Sequence, residues 1–134
     1  MTISFKELMG SHTIAEIPIV HQQNLQKLLD KVNVIREAWG KPMTVTSGYR
    51  SMQDHLRIYS EKGITDKSKI PMASKHLSGL AVDISDPKLE LTAWLKSDGA
   101  ELLVSTGLYC EEGNRNWVHF QCEPPKSGNR WFLP

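Results

Sequence analysis

The ten residues Ser74-Lys75-His76-Leu77-Ser78-Gly79-Leu80-Ala81-Val82-Asp83 constrain this chain more than any other stretch. They hold an imidazole and a carboxylate seven positions apart, with a flexible glycine between them. They also run into LAVDIS at 80–85, whose alternating, β-branched residues predict a strand. A path from loop to strand can turn both side chains onto one point. A second imidazole, His119, lies in another strand-like run, WVHFQC. Two imidazoles and one carboxylate suit zinc held by three protein ligands with a fourth position open, an arrangement of catalytic rather than purely structural sites. A metal so held lowers the pKa of a bound water to about 7.

The surrounding elements predict a scaffold for that set. Between His21 and Trp39, the residues Leu25, Leu28, Leu29, Val32, Ile35 and Trp39 recur at three- and four-residue steps, the stripe of an amphipathic helix that Gly40 and Pro42 end. MTVTS at 43–47 reads as a strand entering the Gly48-Tyr49-Arg50 turn, and Ser51 as the N-cap of a helix that Gly63 stops. Residues 63–75 lack periodicity and read as a long surface loop forming a rim of a cleft. Pro87 opens a helical stretch broken near Gly99, and GLYCEE with WVHFQC brackets Gly113–Asn116 as an antiparallel hairpin. The expected class is α+β, with helices packed on a small, mainly antiparallel sheet. With no repeat, low-complexity tract or linker, residues 1–134 are expected to form a single domain.

Composition removes several classes of function. Sixteen Lys and Arg against 15 Asp and Glu give a net charge of +1, without the basic excess that neutralises phosphates, so no nucleic acid is expected as a partner. No apolar run approaches the roughly 20 residues of a membrane span, so no membrane insertion is expected. The first residues do not read as a secretory signal, so the chain is expected in the cytoplasm of its producer until something releases it. Cys110 and Cys122 form no Cys-x-x-Cys pair and are expected as reduced, half-buried thiols.

Three blocks resemble the zinc D-Ala-D-Ala carboxypeptidases and related peptidoglycan endopeptidases, which share a fold with the hedgehog signalling domain. The S-x-H-x-x-G-x-A-x-D signature stands at Ser74, His76, Gly79, Ala81 and Asp83. The W-V-H block is Trp117-Val118-His119, and SGYRSMQDH at 47–55 is similar to the S-G-Y-R-S segment. The resemblance implies His76, Asp83 and His119 as Zn2+ ligands, and Arg50 as the cation that binds substrate or stabilises an oxyanion, a role suited to a permanent, forked charge. It implies peptidoglycan stem peptide as the substrate, cut by an endopeptidase or a D-Ala-D-Ala carboxypeptidase. The tail EPPKSGNRWFLP resembles short bacteriophage and prophage members. That likeness implies a monomeric, endolysin-like enzyme that acts on the wall after release, or one carried in a virion.

The general base departs from the pattern. Several members carry an acid three residues before the last histidine, and this chain has Asn116 there, which cannot accept and return a proton. Glu111 and Glu112 are the candidates: a three-residue turn puts Glu111 opposite His119, and a four-residue turn puts Glu112 on that face. The G-L-Y-x-E spacing resembles the phage-type members and favours Glu111. The alternative reading of both is as solvated charges flanking the turn. Ser74 and Trp117 are candidates for substrate contact or for shaping and packing the loop, and Arg50 for a turn residue paired with Asp54. His12, His21 and His55 are read as surface or core histidines. The competing class is a catalytically inactive zinc-binding or structural module of the same fold, which Asn116 keeps open.

Overall fold

A computed structural model describes residues 2–114 and 116–133. Its elements in chain order are α1 (Phe5–Met9), α2 (Ile19–Trp39), β1 (Val45–Ser47), α3 (Met52–Glu61), β2 (Ala81–Ser85), α4 (Glu90–Leu95), α5 (Ala100–Thr106), β3 (Tyr109–Glu111), β4 (Trp117–Gln121) and β5 (Trp131–Phe132). The strands form one sheet in the order β1-β2-β4-β3-β5. Every pairing is antiparallel except β3 with β5. The architecture is α+β, as the patterning predicts.

Helix α2 forms because its apolar stripe finds a core. Leu25, Leu28, Val32 and Ile35 are fully buried, each contributing roughly 1.5–3 kcal/mol of apolar transfer. It stops at Gly40, whose left-handed backbone returns its amide to Arg36 at 3.1 Å. The core is shared with the alternate residues of the central strands, Val82, Ile84, Val118 and Phe120. Their neighbours Asp83, His119 and Gln121 therefore face the other side of the sheet. Cys110 is fully buried rather than half-buried, and burial pushes its thiol pKa up.

Some boundaries follow the sequence reading and others depart from it. Ser51 does cap α3, accepting from the Asp54 amide at 3.2 Å. The helical stretch after Pro87 divides into α4 and α5 near Gly99, where the Trp94 ring fills the space that a Cβ would need, 2.6 Å away. The surface loop at 63–75 holds one 3-10 turn, Lys67–Lys69, and is pinned by buried Ile70. Strand β5, two residues long, has no pattern of its own and exists through pairing with β3. The hairpin turn expected at Gly113–Asn116 includes Arg115, which lies outside the described residues. Among the described residues no helix is long and apolar enough to cross a membrane.

Candidate active site

Antiparallel register lines up the site. Ser47 of β1 pairs with Asp83 of β2, and Asp83 pairs with His119 of β4. On the far side Tyr109 pairs with Gln121 and Cys110 with Phe120, so the same ladder continued one step sets Glu111 across from His119. Directly opposed residues share a face. One row across four strands thus carries a hydroxyl, a carboxylate, an imidazole and a second carboxylate.

His76 enters from a short 3-10 turn, Lys75–Ser78, which Gly79 ends with φ 77°. A Cβ at Gly79 would stand 2.7 Å from the His21 carbonyl, so the position needs glycine for both its torsion and its space. His76 Nε2 lies 3.3 Å from Asp83 Oδ2, and His119 Nδ1 lies 2.9 Å from Asp83 Oδ1. One donor atom from each of the three residues falls within 4.8 Å of the others. The other ring nitrogens are engaged elsewhere: His76 Nδ1 with the Gly48 carbonyl at 2.8 Å, His119 Nε2 with Gln121 Oε1 at 2.9 Å.

Electrostatics bind the cluster together. Burial works against ionisation of Asp83, but hydrogen bonds and positive charge from His119 and His76 outweigh it and hold the carboxyl well below the usual range. For His119 burial disfavours the charged form, and the Asp83 hydrogen bond and charge, with help from Gln121 and Glu111, raise its pKa nonetheless. Arg50 Nη2 stands 3.9 Å from Asp83 Oδ2, and its Nε donates to Ser47 Oγ at 3.1 Å. Arg50 does not pair with Asp54, which instead lies 2.7 Å from His12 and beside Arg57.

The cluster forms the floor of a cleft of about 820 Å3. Glu111, Trp117, Ser74 and Arg50 line it, whereas Glu112 is held elsewhere by Lys96 at 2.6 Å. Asn114 joins two wall residues. With its amide nitrogen toward Glu111 Oε1 and its oxygen toward Trp117 Nε1, both at 3.1 Å, it hydrogen-bonds to each.

The sequence model of the family described as Peptidase M15 matches residues 1–121. The chain belongs to the Peptidase M15 family. No curated protein and no solved structure matches it. M15 enzymes of the D-Ala-D-Ala carboxypeptidase type are zinc-dependent, and the donor set fits that metal by its chemistry: two imidazoles whose remaining nitrogens face hydrogen-bond acceptors, and a carboxylate between them.

Two features of this M15 site escape a reading of the sequence alone. His55, read as a surface or core histidine, is fully buried, donates to the Pro71 carbonyl at 2.9 Å and lies 3.5 Å from Arg50 Nη1. The segment beyond the family match supplies a wall of the cleft through Pro125, Lys126, Ser127 and Phe132, and the Phe132 ring meets His119 edge-on at 6.1 Å. The signal for His55 is its place one turn into a helix that starts at Ser51, directly after Arg50. The tail carries no comparable signal, because only pairing with β3 brings it to the site.

Proposed function

We propose that this M15 peptidase hydrolyses peptide bonds in the stem peptides of bacterial peptidoglycan, with residues 1–134 acting as one catalytic domain and His76, Asp83 and His119 as zinc ligands. The observation that carries the reading is the convergence of three donors, from a 3-10 turn and two strands, on the floor of an open cleft. When bound, zinc supplies Lewis acidity, which polarises the scissile carbonyl and acidifies water.

The chain's own groups do the remaining work. Glu111 accepts a proton from the attacking water and passes it to the leaving amine, its carboxylate set across from His119 by the β3–β4 register. Arg50 offers its guanidinium to a substrate carboxylate or to the oxygen that gains charge, and Ser47 and His55 orient it. Ser74 and Trp117 contact the peptide from the walls, Trp117 with 37% of its surface open to solvent. The cleft, about 820 Å3 in volume, has room for a peptide substrate.

The test is mass spectrometry of muropeptides released from purified sacculi, with the protein as prepared, after chelation and after zinc is returned. The expected result is a single class of cleaved peptide bond, lost on chelation and regained with zinc. Intact sacculi under all three conditions would overturn the peptidase reading and favour the inactive zinc-binding module.

A further inference from the structure

Strand alternation places Gln121 on the same face of β4 as His119, two residues away. Both are nearly sealed from water, at 5% and 6% exposure, so solvent does not substitute for either one's partners. The Gln121 amide nitrogen donates to the Glu123 carbonyl at 2.8 Å. A backbone carbonyl only accepts, which turns the glutamine oxygen toward the histidine. That oxygen lies 2.9 Å from His119 Nε2, and an acceptor in that position requires a proton on the nitrogen. Without a metal, Nδ1 donates to the Asp83 carboxylate at 2.9 Å; when a cation displaces that proton, the ring that keeps its proton on Nε2 has its lone pair on Nδ1.

We infer that Gln121 is a positioning residue for the metal: its side-chain carbonyl takes the Nε2 proton of His119 and reserves Nδ1 for zinc. The inference rests on the metal reading given above. At His76 a backbone carbonyl, that of Gly48, performs the corresponding task in the opposite sense, holding Nδ1 and freeing Nε2. The two imidazoles thus present different nitrogens to one point, each fixed from behind by an acceptor. Only at His119 is that acceptor a side chain, so only there does substitution remove it without touching the backbone.

The experiment combines two measurements. Long-range 1H–15N correlation spectra of the zinc-free parent locate the His119 ring protons, and competition with a chromophoric chelator gives zinc affinity for the parent, Gln121→Leu and Gln121→Glu. We expect a proton on His119 Nε2 in the parent. Zinc should bind about 10- to 100-fold more weakly to Gln121→Leu, whereas Gln121→Glu, which keeps an acceptor, stays within about tenfold of the parent. An unprotonated Nε2 in the parent, or parental affinity in Gln121→Leu, overturns the inference. If Gln121→Leu does not fold, Gln121→Met takes its place and the parent's spectrum still decides. A parent that binds no zinc refutes the metal reading itself, while the Nε2 proton continues to report on the hydrogen bond.

Discussion

The carbonyl of Gly48 lies 2.8 Å from Nδ1 of His76, and two residues later the Arg50 amide donates to the His76 carbonyl at 3.1 Å. Two separate blocks of the sequence are thereby clasped, one carrying Arg50 and the other His76. The clasp has little tolerance, because a Cβ on Gly48 would meet the Leu8 carbonyl oxygen at 2.3 Å. Backbone has to move to admit it. We therefore expect Gly48→Ala to cost about 1–3 kcal/mol of stability and to weaken zinc binding together with it. Thermal melts and chelator competition on one preparation check both effects. Parental zinc affinity in a folded Gly48→Ala protein would show that the clasp does not set the His76 ring.

The zinc-free protein should have a stability optimum in mildly acid solution. The folded pKa of Asp83 is depressed, so its contribution is present above the ordinary carboxylate value of about 4 and is lost as the pH falls through the lower folded value. The folded pKa of His119 is raised, so its contribution is complete below about 6.5 and is lost as the pH rises through the higher folded value. Melting temperature of chelated protein should peak between those limits and fall on both sides. In Asp83→Asn the alkaline decline should flatten, since His119 loses the charge that raises its pKa. An unchanged alkaline limb in that variant would refute the coupling.

The two glutamates should separate cleanly in kinetics. Glu111 lines the cleft, and its carboxylate accepts from Asn114, whereas Glu112 is spent on Lys96 at 2.6 Å. Removing a general base costs about 10²- to 10⁴-fold in rate. We expect Glu111→Gln to lose kcat on that scale, with zinc affinity near that of the parent. Glu112→Gln should keep kcat within a few-fold, since an exposed ion pair contributes only about 0–1 kcal/mol to stability. Turnover of purified muropeptides by the two variants decides, and equal losses would remove Glu111 from the mechanism.

How far the site was legible in sequence follows from what each signal encodes. The cluster of His76, Asp83 and His119 was visible because metal chemistry demands specific atoms, and the three residues carry such atoms in a spaced signature. The amphipathic stripe of α2 was visible because burial repeats with the helical period. Which of Glu111 and Glu112 lines the cleft was not, because it depends on the β3–β4 register, in which a shift of one residue exchanges the two faces. Strand β5 was hidden for a related reason: Trp131 and Phe132 have no local preference strong enough to announce a strand, and the pairing with β3 supplies it. The reading of His55 as a surface or core histidine left open which of the two it is, because a lone histidine on a helix has the same appearance whether it faces solvent or Arg50.

That histidine ties Arg50 to the rim of the cleft. His55 donates from Nε2 to the Pro71 carbonyl, so Nδ1 is left as the acceptor toward Arg50 Nη1. Burial lowers its pKa, the Pro71 hydrogen bond opposes that, and the nearby Arg50 charge lowers it further, so the neutral ring that this geometry needs is the favoured form. Tyr59 packs against it edge-on at 5.0 Å. In His55→Leu the volume is largely kept while both hydrogen bonds vanish, leaving the Pro71 carbonyl and a guanidinium nitrogen without these partners. We expect a loss of about 1–3 kcal/mol from the unpaired carbonyl and faster proteolysis within residues 63–75. KM should rise more than kcat falls, because Arg50 still carries its charge but is held by Ser47 alone on that side. His55→Gln, which restores a donor and an acceptor, should recover part of the KM. If His55→Leu binds muropeptides as well as the parent while melting lower, the histidine serves only the fold.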